Sequence, residues 1–302
     1  SAKHTADVIA SMAEDADAIV VTSARVTGDV MDRLPRLRVV GRPGIGYDVV
    51  DVEAATARGV AVFSAPGFCA REVADHTMML ALACTRKMLP LCNAMRQGVY
   101  ERGLSSPMMA TYEMTLGLVG FGEIGREVAV RARPFGFRIL ACDPVVDQPS
   151  ADPYGVTMVS FEELLAESDV VSVHAPLTRQ TFHLLGEREF ALMKPGAYVV
   201  NTARGPVIDQ NALIAALRSG RLGGAGLDVF EREPLEADNP LLQMDNVLVT
   251  PHVAGVSDSS QIAVKRRTAR NIANALVGEW PPTRDLVNPQ VRDHPRQSPR
   301  RP

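Results

Sequence analysis

A chain of 302 residues with 46 % hydrophobic side chains has material for two ordinary buried cores. Its formal net charge of −3 supplies no basic face for nucleic acid or an anionic membrane surface. The longest apolar runs, such as Met78–Cys84, are too short to cross a bilayer, and no signal peptide precedes the first elements, so a cytoplasmic location is expected.

Short β-branched runs alternate with helical segments from the start. Asp17–Thr22, Leu37–Gly41 and Val60–Phe63 read as strands, with helices over Thr27–Leu34 and Asp51–Arg58 between them. Arg71–Met95 is one long apolar-rich helical stretch with a candidate break at Pro90, and the polar, Met-rich segment Arg96–Met114 reads as a domain crossing. The Met78–Leu82 stripe is read as core or dimer packing. The rhythm then restarts. Strands are predicted at Thr115–Val119, Arg138–Cys142, Asp169–His174, Ala197–Asn201, Gly224–Val229 and Asn246–Thr250. Helices lie near Ile124–Arg133, Phe161–Glu167, Glu187–Met193 and Gln210–Ser219. Strands that alternate with helices in this way make an α/β fold with a doubly wound parallel sheet. A last helix spans Ser259–Leu276, and the Pro- and Arg-rich tail from Asn288 is expected to be disordered. The four cysteines, Cys69, Cys84, Cys92 and Cys142, show no C-x-x-C and no metal-ligand spacing, so free thiols and no metal are expected.

The strongest local signal is the strand Thr115–Val119 running into G-x-G-x-x-G, with Gly120, Gly122 and Gly125. The first glycine permits the tight turn, the second lets backbone approach a pyrophosphate, and the third lets the helix pack on the strand. The helix N-terminus then offers unpaired N–H groups to phosphates. An acid, Asp143, closes the next strand, where it can accept hydrogen bonds from the adenosine ribose hydroxyls. A 2′-phosphate there would meet like charge, at roughly 4 kcal/mol per pair for ~4 Å and an effective dielectric of about 20. Pro144-Val145-Val146 brings no arginine to neutralise it, so the cofactor is read as NAD rather than NADP.

At this point the sequence resembles a known family, the D-isomer-specific 2-hydroxyacid dehydrogenases, which include phosphoglycerate dehydrogenases and glyoxylate/hydroxypyruvate reductases. The matching stretches are Gly41–Asp48, Glu72–His76, Gly120–Gly125, His174–Thr178, Asn201–Gly205, Leu227–Pro234 and Thr250–His252. They lie in family order over most of the chain. The resemblance implies two similar Rossmann-like or flavodoxin-like α/β domains with the active site in the cleft between them. Residues 1–86 with 257–302 would form a discontinuous substrate-binding domain, and 87–256 the NAD-binding domain. It also implies a homodimer through Arg71–Met114 and a small 2-keto or 2-hydroxy acid as substrate. Family members begin with a further strand, helix and strand, so the first domain reads as N-terminally truncated. An exposed sheet edge and poor solubility are the expectation that follows.

Site residues carry over by the same resemblance. Arg204 matches the arginine that holds substrate carboxylate and carbonyl, Glu233 the partner of the catalytic histidine, and His252 the general acid/base. Ile45 and Gly46 sit where backbone N–H groups bind the substrate carboxylate. Asp228 sits where the family binds the nicotinamide carboxamide, and Ala175, Thr202, Ala203, Ala254 and Gly255 lie on cofactor-lining segments. Glu123 and Ile124 complete the glycine loop. Where many relatives have arginine in that loop this chain has Glu123, a weakening of pyrophosphate contacts for which Arg126 is the candidate compensation.

The chemistry selects these residue types independently. Reduction of a 2-keto acid needs a hydride at the carbonyl carbon and a proton at its oxygen. A histidine can give and retrieve that proton near neutral pH, a neighbouring carboxylate favours the imidazolium, and an arginine fork can hold a carboxylate. Glu231 is a nearby rival to Glu233. His174, at a strand end, and His76, within an apolar helix, are read as structural. The alternative function class is an NAD(H)-sensing binding module of the corepressor type built on the same fold. Substrate identity is open among glyoxylate, hydroxypyruvate, phosphoglycerate and bulkier acids.

Overall fold

The computed structural model describes residues 6–280 and 284–296. Residues 297–302 of the tail lie outside them. The chain forms two compact units, one within Ser1–Phe68 and Ser257–Pro302, the other Cys69–Val256. The division falls at Phe68 rather than at residue 86, because the helix that follows packs on the strands of the larger unit.

The smaller unit carries a parallel sheet of β1 (Ala18–Val20), β2 (Val39–Gly41) and β3 (Ala61–Phe63), in that order. Alternation along each strand serves two cores. Val40 and Val62 join Val30 and Met31 of α2 (Gly28–Asp32), Leu34 just beyond it and Ala55 of α3 (Val52–Ala57), and Ala6 and Ile9 of α1 (Ala6–Met12) pack at its margin. Val39, Ala61 and Phe63 face the other way, onto Ala275 and Ile272 of the last helix, Asp258–Leu276, and onto Leu286 and Val291. β1 is an edge strand, with Val20 57 % exposed.

The tail does not become disordered at Asn288. Val287 N–H bonds Val62 O at 2.8 Å. Asn288, 2 % exposed, accepts Val62 N–H at 2.9 Å and donates to Val60 O at 2.9 Å. Arg296 N–H reaches Gly59 O at 2.8 Å. Buried amide groups must be paired, so these side-chain and backbone bonds order a segment whose composition reads as linker.

The larger unit is a seven-stranded, all-parallel sheet. Its strands are β4 (Thr115–Val119), β5 (Arg138–Cys142), β6 (Thr157–Met158), β7 (Val170–Val173), β8 (Ala197–Asn201), β9 (Leu222–Leu227) and β10 (Val247–Val249), in the order β10-β9-β8-β7-β4-β5-β6. β6 was not foreseen: a two-residue edge strand has no periodicity to read. Helices cover both faces, so every residue of β4 and β7 is buried. Val171, Val173 and Val199 feed one core with Leu213 and Leu217. Leu116, Leu118, Val170 and Val200 feed the other with Met78, Leu80 and Val128.

The helices of this unit are α4 (Ala70–Thr85), α5 (Met88–Arg96), α6 (Glu123–Ala132), α7 (Gln148–Ala151), α8 (Phe161–Glu167), α9 (Glu187–Leu192) and α10 (Gln210–Arg218); the last helix of the smaller unit is α11. The break between α4 and α5 falls at Lys87, in the left-handed conformation at φ +51°, and not at Pro90. Pro90 sits in the first turn of α5, where its missing N–H costs nothing. No helix among the described residues is long and apolar enough to cross a membrane. The cysteines are free.

Asp285 ties α11 to the smaller sheet. It accepts Arg267 Nε at 2.8 Å, a second Arg267 N–H, and Asn271 Nδ2 at 2.9 Å, while its carbonyl takes Ser64 N–H at 2.9 Å. Burial raises its carboxyl, but Arg267 and Asn271 more than reverse this and hold it below the usual aspartate range. A depressed folded-state value gives stability that is present above the unfolded value, about 3.9, and is lost as pH falls through the folded value. The Asp285→Asn variant is therefore expected to be less stable at neutral pH but to lose less on acidification; urea midpoints measured against pH for the two proteins check this.

Candidate active site

The parallel sheet reverses direction of growth at β4, whose neighbours are β5 and β7. Open α/β sheets bind ligands beyond the carboxyl ends of strands at such a point. Gly120 leaves β4 at φ +96°, and a Cβ there would stand 2.8 Å from Ala175 N. A Cβ on Gly125 would stand 2.5 Å from Gly120 O, so the third glycine lets α6 close on the loop. At Gly122 an added Cβ meets nothing within 4 Å. That is open space beside the N-terminus of α6, as a pyrophosphate requires. Asp143 holds the loop, accepting Phe121 N–H at 2.8 Å on one oxygen and Val145 N–H at 2.9 Å on the other. Each oxygen keeps a lone pair for a ribose hydroxyl. Glu123 is exposed at the start of α6, and Ile124 packs at the edge of the core. Arg126 lies over aromatic rings, 5.8 Å from the centroid of Phe121 and 5.7 Å from that of Tyr154. The donors and the space fit a dinucleotide.

Three neighbouring strand ends carry the acid/base candidates. After β8, Asn201 folds the chain back on itself: its Oδ1 accepts Ala203 N–H at 3.0 Å and its Nδ2 donates to Arg204 O at 2.9 Å. Thr202 Oγ1 lies 2.8 Å from Thr77 Oγ1. Thr77 gives its own proton to Val73 O, so Thr202 is the donor. Arg204 Nη1 donates to Ala203 O at 2.7 Å. Gly205 lets this turn touch the next one: a Cβ there would stand 1.9 Å from the Phe230 carbonyl carbon.

After β9, the two rival glutamates separate. Glu231 Oε1 pairs with His183 Nε2 at 2.6 Å, and its Oε2 accepts Gln210 N–H at 3.3 Å. Glu233 Oε2 pairs with His252 Nδ1 at 2.7 Å, and its Oε1 accepts Phe230 N–H at 3.1 Å. Burial raises the Glu233 carboxyl, but the hydrogen bonds from His252 and Phe230 and the charges of His252 and Arg204 outweigh it and keep it below the usual glutamate range. With Nδ1 on the carboxylate, Nε2 is the nitrogen left to exchange a proton with a substrate.

After β10, His252 takes φ +56°, a left-handed conformation that costs a non-glycine residue about 1–2 kcal/mol. Asp228 holds it there. This aspartate is 0 % exposed. Its Oδ1 accepts Thr250 Oγ1–H at 2.6 Å and Val253 N–H at 2.9 Å, its Oδ2 accepts Ala254 N–H at 2.8 Å, and its carbonyl accepts His252 N–H at 2.8 Å. Gly255 follows against Cys69, whose Sγ would stand 2.8 Å from an added Cβ. Beside the pair lies a cleft of about 370 Å³ walled by Phe230, Leu235, Leu242, Val249 and Pro251.

Other candidates are inert. Burial pushes the His174 ring down to about 4, so it is neutral, with Nε2 on Ser172 Oγ at 2.9 Å. Burial, with help from Glu72 and against Arg204, pushes the Cys69 thiol up to about 12. No group of three metal-ligating side chains occurs among the described residues. Ile45 and Gly46 belong to the smaller unit, in the loop that leaves β2, where Gly44 N–H closes on Arg42 O at 2.8 Å. Sequence reasoning missed the His183–Glu231 pair, the cleft and the bonds of His76, since no local pattern links residues so far apart in the chain.

Residues 78–254 match the family model of the D-isomer specific 2-hydroxyacid dehydrogenase, NAD binding domain. The chain belongs to that family. It is similar to the glyoxylate reductase of Korarchaeum cryptofilum, 40 % identical over 94 % of this chain and 86 % of that one. Similarity to the D-3-phosphoglycerate dehydrogenase of Archaeoglobus fulgidus is also 40 %, over 90 % of this chain but 51 % of the relative, so this chain spans about half of that protein. Among solved structures, the D-lactate dehydrogenase of Aquifex aeolicus, complexed with NAD and lactic acid, superposes with a TM-score of 0.86 at 29 % identity, covering 92 % of this chain and 89 % of that one. This D-2-hydroxyacid dehydrogenase is NAD-dependent, with a dinucleotide domain of Rossmann type.

Gly125 and Gly122 of the loop are expected to behave differently. Gly125→Ala forces backbone apart and should lower stability by about 1–3 kcal/mol. Gly122→Ala meets no neighbour and should melt like the parent while binding NADH more weakly; thermal melts and NADH fluorescence titrations separate the two effects.

Proposed function

We propose that the protein reduces small 2-keto acids to D-2-hydroxyacids, glyoxylate first among them, with His252, Glu233 and Arg204 as its catalytic residues. The observation that carries this reading is the 2.7 Å bond between His252 Nδ1 and a Glu233 carboxylate whose pKa is held below the usual glutamate range by His252 and Arg204. The near full-length match to a glyoxylate reductase supports the choice of substrate.

Bound NADH supplies the hydride. Arg204 grips the substrate carboxylate and steadies the negative charge that develops on the carbonyl oxygen. His252 gives its Nε2 proton to that oxygen, and Glu233 holds the imidazolium before transfer. In the reverse direction the neutral ring takes the proton from the hydroxyl. The backbone N–H groups of Ile45 and Gly46 are assigned to the substrate carboxylate. For the cofactor, the Gly120–Gly125 loop takes the pyrophosphate and Asp143 the adenosine ribose, while Ala175, Thr202, Ala203, Ala254 and Gly255 line the dinucleotide. Asp228 serves by fixing the turn that carries His252.

The protein is further proposed to be a cytoplasmic homodimer. The surface that would be covered includes Met88, Met95, Tyr100 and Tyr112, on α5 and the segment after it, which are 56 %, 55 %, 76 % and 74 % exposed. Light scattering is expected to give a dimer mass.

The test is NADH oxidation against glyoxylate, hydroxypyruvate, pyruvate, phenylpyruvate and 3-phosphohydroxypyruvate. His252→Ala should lower turnover about a hundred- to ten-thousand-fold with NADH affinity nearly unchanged. Arg204→Ala should raise KM and lower kcat together, because that side chain meets substrate in the ground and transition states alike. NADH should be preferred to NADPH. Near-normal turnover by His252→Ala would remove the assignment, and tight NADH binding without turnover of any acid would favour a sensing module.

A further inference from the structure

We propose that His76 is a positioning residue for the acid/base histidine, acting through the Thr250 hydroxyl and the Asp228 carboxylate. The inference rests on the role given to His252 above. His76 lies on α4, its side chain 16 % exposed, with Nε2 2.9 Å from Thr250 Oγ1 and 3.7 Å from Asp228 Oδ1. Thr250 has one proton, and the 2.6 Å bond to Asp228 Oδ1 takes it. The threonine oxygen can therefore only accept from His76, and the ring must carry its proton on Nε2. The chain of donors runs one way, from His76 to Thr250 to Asp228.

The end of that chain is the turn under His252. Asp228 is buried, and its carboxylate is held by the Thr250 hydroxyl and the N–H groups of Val253 and Ala254. A buried carboxylate that loses a donor must find another or shift. The residue it holds, His252, is in a conformation it would leave if released. An ångström of drift in a catalytic group can cost about a hundredfold in rate. His76 contacts no reacting atom in this arrangement; it fixes the hydroxyl that fixes the carboxylate that fixes the ring. No other side chain on α4 bonds the Thr250 hydroxyl among the described residues, so the role falls to position 76.

The test compares His76→Leu, His76→Gln, Thr250→Val and the Leu/Val double variant, with His252→Ala in the same series. His76→Leu should lower kcat for glyoxylate about tenfold, the scale of one hydrogen bond, with the NADH Kd little changed. His76→Gln, whose amide can donate from the same place, should restore most of that rate. Thr250→Val should resemble His76→Leu, and the double variant should be no worse than either, because the two act on one path. Amide exchange over residues 252–256 is followed on the same proteins and should quicken in His76→Leu but not in His76→Gln, a result obtained whether or not glyoxylate is turned over. Parent-like rate and exchange in His76→Leu, additive losses in the double variant, or a glutamine variant no better than leucine would each overturn the proposal. Such results beside an inactive His252→Ala leave the role of His252 standing, whereas an active His252→Ala removes that role first.

Discussion

The larger unit depends on one buried carboxylate. Asp228 stands at the end of β9 with no cation in hydrogen-bond contact, yet its carboxylate and carbonyl oxygens meet only donors: one hydroxyl and two backbone N–H groups on the side chain and one N–H on the carbonyl. Backbone amides aimed at a desolvated carboxylate are a strong, directional restraint, because leaving the charge unpaired in that place costs several kcal/mol. The restraint acts on residues 250–254, and it keeps His252 in a left-handed conformation with Nδ1 on Glu233. The polar core of the unit thus sets the geometry of its reactive edge.

The sheet supplies the rest. A parallel sheet buried on both faces brings the carboxyl ends of β4, β8, β9 and β10 to one side, and each end delivers part of the candidate site. β4 gives the glycine loop, β8 the Arg204 turn, β9 Asp228 and Glu233, and β10 His252. Close backbone approach locks adjacent turns together. Gly205 lies against Phe230, so the arginine turn and the glutamate turn move as one. His183 and Glu231 brace the same turn from the other side at 2.6 Å. Glu233 and its rival Glu231 are separated in the structure by which histidine each reaches, His252 and His183 respectively.

Much of this was legible in the sequence where the determinant is local. The strand, three glycines and distant acid of Thr115–Asp143 describe a turn, a helix start and a strand end within one βαβ unit, and each is where the spacing puts it. The long runs of β4, β7 and β8 announce themselves by being apolar on both faces. Legibility fails where the determinant is remote or too short. β6 is two residues on an edge. The helix break falls at Lys87 because a left-handed residue ends α4, while Pro90 is harmless in a first turn. The segment after Asn288 reads as linker until Arg296 and Asn288 meet the backbone near β3. His76 looks like one polar residue in an apolar helix, and its partner Thr250 is 174 positions away.

The measurement that bears most directly on the central claim is the pH dependence of kcat/KM for glyoxylate reduction by the parent protein and by Glu233→Gln. In the proposed mechanism reduction needs a protonated His252, and the Glu233 carboxylate holds that proton in place. The variant is expected to lose activity at a lower pH on the alkaline side than the parent does, with a lower plateau. Superimposable profiles would contradict it, since the 2.7 Å pair would then be a structural contact without a part in proton transfer.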